Sequence, residues 1–161
     1  MRKPFAKLLL EMMRTSPAGD SIVLLTADMG YGLWDDIRKE FPERFVNFGS
    51  SEQLMIGAAA GMAVEGKIPV CYSITPFLLY RPFEFIRNYM NEERLPIKLV
   101  GGGRDRDYGY LGYTHWAEED LSVLSAFKNL VLFKPEDEAK LTGIFNEFLF
   151  NNHPSYINLR K

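Results

Sequence analysis

Apolar residues recur along this chain in two alternating periods. Over residues 4–15, Phe5, Leu8, Leu9, Met12 and Met13 sit three and four positions apart, which predicts an amphipathic helix stopped by Pro17 and Gly19. Residues 22–26 are a nearly continuous apolar run, the pattern of a strand covered on both faces. Both signals then repeat. Short runs at 45–48, 68–74, 97–100, 130–133 and 156–159 predict further strands. Helices are expected through Trp34, Ile37 and Phe41, from Ser51 to about Glu65, over 82–91, near 118–127 and over 136–151, with a long Gly/Asp/Arg/Tyr loop at 101–113. Strands alternating with helices across short connections predict an α/β fold of three layers, a doubly wound, mostly parallel sheet with helices on both faces. In such sheets ligands bind beyond the carboxyl ends of the strands. Here those ends lead into residues 28–32, 49–52, 75–80 and 101–115, which hold most of the unusual residues of the chain.

Length and composition narrow the classes. The 161 residues fit a single domain spanning 1–161, and 47% hydrophobic with 25% charged residues excludes a disordered or collagenous protein. A net charge of −2 gives no basic footprint for nucleic acid, so no nucleic-acid partner is expected. The single cysteine, Cys71, excludes an intrachain disulfide or a multi-cysteine zinc site, and its apolar surroundings read as a buried thiol. No apolar stretch approaches the ~20 residues of a membrane span. The amino terminus starts with positive charge and a short apolar run, but Glu11 and Arg14 follow at once, so it does not read as a signal peptide. A cytoplasmic protein with no membrane partner is expected.

Several common chemistries lack their motifs. There is no GxGxxG after the first strand, no GxxxxGK[ST] and no GxSxG, and the triplet Gly101-Gly102-Gly103 has neither the spacing nor the following helix of a nucleotide loop. Two features remain. Glu52 opens a helix after Gly49-Ser50-Ser51, where the ordinary reading is capping by serine with the carboxylate complementing the helix dipole. That helix carries Gly57, Ala58, Ala59, Ala60, Gly61 and Ala63; each glycine costs about 1 kcal/mol against alanine, which points to close packing on the sheet or on a partner helix. His115 lies in Gly112-Tyr113-Thr114-His115-Trp116, beyond the strand at 97–100. A lone histidine is ordinarily a surface or hydrogen-bonded structural residue, but the carboxyl edge favours function. Arg104-Asp105-Arg106-Asp107 balances its own charges; two arginines beside glycine amides also suit a phosphate.

Taken together, these segments resemble a known family. The run Pro42-Glu43-Arg44-Phe45-Val46-Asn47-Phe48-Gly49-Ser50-Ser51-Glu52-Gln53, followed by Ile56-Gly57-Ala58-Ala59-Ala60-Gly61-Met62-Ala63 and Gly66, resembles the pyrimidine-binding domain of transketolase-type thiamine diphosphate enzymes. Ala27-Asp28 matches the acidic turn after the first strand, Thr75 and Phe77 the aromatic segment, and Gly112-Tyr113-Thr114-His115 with Glu119-Asp120-Leu121 the Gly-x-Thr-His element and its acidic helix. Asn129-Leu130-Val131 and Lys134-Pro135-Glu136-Asp137 resemble the later strand and turn, so the match spans roughly residues 20–140. The resemblance implies the thiamine diphosphate-binding fold and a role for Glu52 at the cofactor's pyrimidine ring. Phe77 would stack on that ring, with Tyr80 as an alternative; Asp28 would contact the cofactor, and His115 would face the substrate. Arg104 takes the place of a phosphate-contacting arginine in the deoxyxylulose phosphate synthase branch.

Two departures shape the expected function. The family also needs a domain that binds diphosphate and Mg2+ and carries Gly-Asp-Gly, which is absent here. The resemblance therefore implies a subunit active only with a separate diphosphate-binding chain, as a hetero-oligomer with two copies of each. The acidic residue that many relatives carry before Gly-x-Thr-His is Leu111 here, which removes a group that reads a sugar hydroxyl. The expected activity is transfer of a two-carbon ketol or acyl unit between carbonyl compounds, with a sugar or 2-oxo acid as substrate. The alternatives are a beta-type subunit of a 2-oxo acid decarboxylating enzyme, and a non-catalytic interaction module that retains the fold.

Overall fold

A computed structural model describes residues 1–161. Its centre is a six-stranded sheet of β1 (Ile22–Thr26), β2 (Phe45–Asn47), β3 (Ile68–Ile74), β4 (Lys98–Gly102), β5 (Val131–Phe133) and β6 (Ser155–Leu159). Their order is β2-β1-β3-β4-β6-β5, and every neighbouring pair runs parallel. Parallel strands need crossovers, and the helices supply them on both faces. They are α1 (Arg2–Thr15), α2 (Asp35–Glu40), α3 (Glu52–Val64), α4 (Thr75–Tyr80), α5 (Phe83–Phe85), which continues as a π-helical stretch at Ile86–Glu92, α6 (Asp120–Leu124) and α7 (Glu138–Phe150).

The strands are apolar at nearly every position because alternate side chains feed two separate cores. Ile22, Leu24, Val70, Tyr72, Val100 and Ile157 pack under α1 and α7 against Phe5, Leu9, Phe145 and Phe148. Val23, Leu25, Cys71, Leu99 and Tyr156 point the other way, toward Met55, Ile56, Ala59 and Ala60 of α3 and Ile86 and Met90 of the π-helical stretch. A helix built on alanine brings its axis close to the sheet, which accounts for the buried Ala59, Ala60 and Ala63. A Cβ on Gly57 would come within 3.1 Å of the Phe85 ring, a tight contact that the ring would have to yield to, whereas a Cβ on Gly61 would meet nothing. Cys71 is buried, and loss of water pushes its thiol pKa upward, as befits an inert core residue.

Two elements differ from the expectation. The expected strand at 97–100 runs on through Gly101 and Gly102. A Cβ on Gly101 would lie 2.5 Å from Thr75 Oγ1, and one on Gly102 would lie 2.6 Å from the Tyr72 hydroxyl. The glycines therefore serve close packing at the end of β4. Residues 75–80 form α4, a helix of six residues with proline in its first turn, too short to show a period in the sequence. It follows β3 without a loop, and its Thr75, Pro76, Leu78 and Leu79 are buried.

Candidate active site

Glu52 begins α3 at the carboxyl edge, and its side chain is 1% exposed. The capping reading gives way here, because Ser51 makes no side-chain cap and the carboxylate does not turn back to its own helix. It reaches across to β3 and α4 instead. The Ser73 hydroxyl donates to Oε1 at 3.0 Å, and Arg81 Nη1 donates to Oε2 at 2.7 Å. An unpaired buried carboxylate would be very costly, and these two donors offset that cost. The two donors differ in kind. Ser73 is fully buried in a central strand, whereas the Arg81 side chain is 45% exposed just past the end of α4.

Phe77 and Arg81 lie four residues apart, so they share one face of the turn. The Arg81 guanidinium carbon lies 4.0 Å from the centroid of the Phe77 ring, in cation–π geometry. The His115 ring meets Phe77 edge-on at 5.0 Å between centroids, and Tyr108 follows at 5.9 Å from His115. His115 Nδ1 is paired with Thr114 Oγ1 at 2.9 Å, and its other ring nitrogen makes no hydrogen bond. An open hollow of ≈ 270 Å³ lies over this group, walled by Phe77, Tyr80, Arg81, Tyr113, Thr114 and Glu119. Tyr80 forms its rim. Partial burial, and secondarily the neighbouring Glu119, keep its hydroxyl protonated far above the usual tyrosine range.

The structure brings Glu52, Phe77, His115 and Tyr80 together on the carboxyl edge; Arg104 lies on the same edge, but its side chain turns into the chain instead of joining them. That side chain is 1% exposed, and its donors are spent inside the chain. Nε donates to Asn158 Oδ1 at 2.7 Å, and Nη2 donates to the carbonyls of Asn158 and Pro135 at 2.7 and 2.9 Å. Nη1 faces the half-exposed Glu136 at 3.5 Å, so the guanidinium is turned into the chain and away from the Glu52–Phe77 group where a substrate contact was expected. Asn158 in turn donates its amide to the buried Asp120, which also accepts from the Tyr156 hydroxyl at 2.6 Å. Asp28 is at the end of β1, exposed, with a left-handed φ of 55°. Its N–H donates to Asn47 Oδ1 at 2.9 Å, the Tyr31 hydroxyl donates to its carboxylate, and no hydrogen bond links it to Glu52. Ser73 and Arg81 are the site residues that sequence reasoning missed. The Phe77-x-x-x-Arg81 spacing was the only available signal, and it needs α4 to be known first.

The chain matches the family "Transketolase, pyrimidine binding domain" over residues 1–161. It belongs to that family. A "Putative transketolase C-terminal section" of Methanocaldococcus jannaschii is 33% identical over 99% of this chain and 50% of its own length. A "6-deoxy-6-sulfo-D-fructose transketolase subunit SqwH" of a Clostridium species is 32% identical over 99% of this chain and 49% of its own. Among solved structures, a "Split gene transketolase, inactive beta4 tetramer" has a TM-score of 0.84 at 33% identity, covering 99% of this chain and 50% of that one. The transketolase of Campylobacter jejuni has a TM-score of 0.87 at 20% identity and covers 25% of its chain, which speaks for the fold alone. The chain thus spans about half the length of the curated relatives it matches. As a pyrimidine-binding domain it has groups of the right kind: a buried carboxylate whose outer oxygen is paired with a half-exposed arginine, beside an aromatic face, fits a flat heterocycle with a basic ring nitrogen. No cluster of three or more acidic, histidine or cysteine side chains is placed to hold a metal ion. No helix is long and apolar enough to cross a membrane.

Proposed function

We propose that this chain supplies the pyrimidine half of the thiamine diphosphate site in a split transketolase-like enzyme that transfers a two-carbon ketol or acyl unit between carbonyl compounds. The observation that carries the reading is the Glu52 carboxylate, buried at the carboxyl edge beside the Phe77 ring and the Thr114–His115 pair. When bound, the cofactor supplies a nucleophilic thiazolium carbon for attack on carbonyls. This chain's residues prepare that chemistry. Glu52 holds a proton at Oε2 against the ring nitrogen of the pyrimidine, and Ser73 fixes the opposite oxygen so that Oε2 keeps its direction. Phe77 offers its face for stacking. His115, oriented through Nδ1 by Thr114, presents its free ring nitrogen to a substrate oxygen. Tyr80 and Asp28 are the outer cofactor contacts. Leu111, exposed in the turn before Gly112-Tyr113, stands where an acidic residue would read a hydroxyl, so that recognition is not made by this position.

Diphosphate and Mg2+ ligands are assigned to a separate diphosphate-binding subunit, in an assembly with two copies of each chain in the cytoplasm. The names of the relatives support this reading, since they are called subunits or sections of transketolases. Calorimetric titration of thiamine diphosphate with Mg2+ tests it. Tight binding is expected only when the chain is mixed with a Gly-Asp-Gly-containing partner, followed by turnover on a ketose or 2-oxo acid donor. Absence of binding in the mixture overturns the reading and favours an interaction module with a retained fold.

A further inference from the structure

The Arg81 guanidinium does two things at once. Through Nη1 it donates to Glu52 Oε2 at 2.7 Å, and its flat face lies 4.0 Å from the Phe77 centroid. A planar, nitrogen-bearing group stacked on Phe77 with an N–H aimed at Glu52 has the same pattern of contacts that an aminopyrimidine would make there. The arginine also has little else to do: its only hydrogen bond is to Glu52, and its side chain is nearly half exposed in the hollow above Phe77. The contrast with the other arginine of this edge is direct. Arg104 makes three short hydrogen bonds to Asn158 and Pro135 and is 1% exposed, but Arg81, just past the end of α4, makes one and is 45% exposed.

We infer that Arg81 is a placeholder for the pyrimidine ring, which occupies the Phe77–Glu52 slot in the lone chain and must leave when a flat nitrogen heterocycle enters. This rests on the proposed function of Glu52 and deepens it. Two consequences follow from the geometry. With Arg81 in place, Oε2 of Glu52 already accepts from the guanidinium and is not free to pair with a ring nitrogen. Each binding event must also break one charge-assisted hydrogen bond and one cation–π stack, so the empty site opposes premature loading until the rest of the site adds its own contacts.

The experiment uses the lone chain and the pyrimidine fragment 4-amino-5-hydroxymethyl-2-methylpyrimidine. Calorimetry would give its affinity for wild type, Arg81→Met, Arg81→Lys and Glu52→Gln. Nitrogen-15 NMR would follow the Arg81 side-chain N–H. Arg81→Met keeps an apolar stem and removes the competing donor, so the fragment should bind roughly tenfold to a hundredfold more tightly. Arg81→Lys, whose ammonium cannot lie flat on the ring, should fall between. In wild type the Arg81 resonance should move to a free-arginine position as the fragment binds. Equal or weaker binding by Arg81→Met, or an unmoved Arg81 resonance, overturns the placeholder. If wild type still binds and Glu52→Gln does not, the pyrimidine site itself survives that result. No binding by any variant overturns both.

Discussion

Two charges are buried at opposite ends of the same sheet and are held in opposite ways. Lys98 opens β4 at the amino edge, 1% exposed, and its ammonium donates three hydrogen bonds: to the Asn151 carbonyl and side chain at 2.7 and 2.5 Å and to the His153 carbonyl at 2.7 Å. Asn151 is the residue that ends α7, so two of these acceptors are main-chain carbonyls and the third is a short side chain on the same turn, none of them on a long stem. Glu52 at the carboxyl edge is equally buried, but half of its satisfaction comes from an exposed arginine on a long stem. Arg104 completes the comparison. It shares the edge of Glu52, yet like Lys98 it is held chiefly by two carbonyls and an asparagine side chain, with Glu136 a longer contact at 3.5 Å. Burial of a charge is therefore not what marks a site. The mark is a buried charge whose partner can be removed at low cost.

The largest effect expected from breaking this contrast is on turnover. Glu52→Gln keeps the volume and still accepts from Ser73, but it holds no proton to exchange with a ring nitrogen. In the partner-completed assembly turnover should fall about 10³-fold, while the lone chain's melting temperature should shift by about 3 °C or less. Initial-rate kinetics beside a thermal scan separate the two readouts. A large thermal shift with unchanged rate would make Glu52 another Lys98.

Lys98→Met should do the reverse. It strands three acceptors at the end of α7, and denaturant unfolding at neutral pH should show a loss of about 2–3 kcal/mol, with pyrimidine-fragment binding unchanged. Asn158→Leu sharpens the third case, since the Asn158 amide bridges Arg104 and Asp120. Removing it leaves two buried charges without their link and should cost about 2 kcal/mol. Because the network lies under β4, β6 and the start of α6, it should also loosen the loop that carries His115. Hydrogen exchange at 104–116 would report that loosening; unchanged protection there would separate the network from the site.

These differences explain which parts of the molecule the sequence made legible. All six strands were readable because each is apolar on both faces, and α3 because its small residues match the burial of Ala59, Ala60 and Ala63. Glu52, Phe77 and His115 stand in runs that resemble the family's, and their proposed roles rest on that resemblance and on the edge they share. What was not readable is which way a polar side chain turns at a strand end. The acceptors of Arg104 lie 31 and 54 positions away and are brought to it by the pairing of β4 with β6, which no local pattern encodes. Arg81 was hidden for the opposite reason. Its partners depend on α4, a helix too short to announce itself.

The smallest effect, per unit of pH, concerns Lys98 alone. Burial pushes its pKa down to about 7 from an ordinary 10.5. Between those values the unfolded chain binds more protons than the folded one, so the stability contributed at this position rises with pH from about 7 to about 10.5. The full deficit is present below the window. The slope cannot exceed about 1.4 kcal/mol per pH unit. Buried Tyr72, Tyr156 and Cys71 act with the other sign, because burial raises their pKa values and the folded chain keeps protons that the unfolded chain releases at high pH. The difference between wild type and Lys98→Met cancels those groups. It should vary across pH 7–10.5 with wild type gaining on the mutant as pH rises. A flat difference profile would mean that the three acceptors hold the ammonium charged throughout, making Lys98 more rigidly paired than its burial implies.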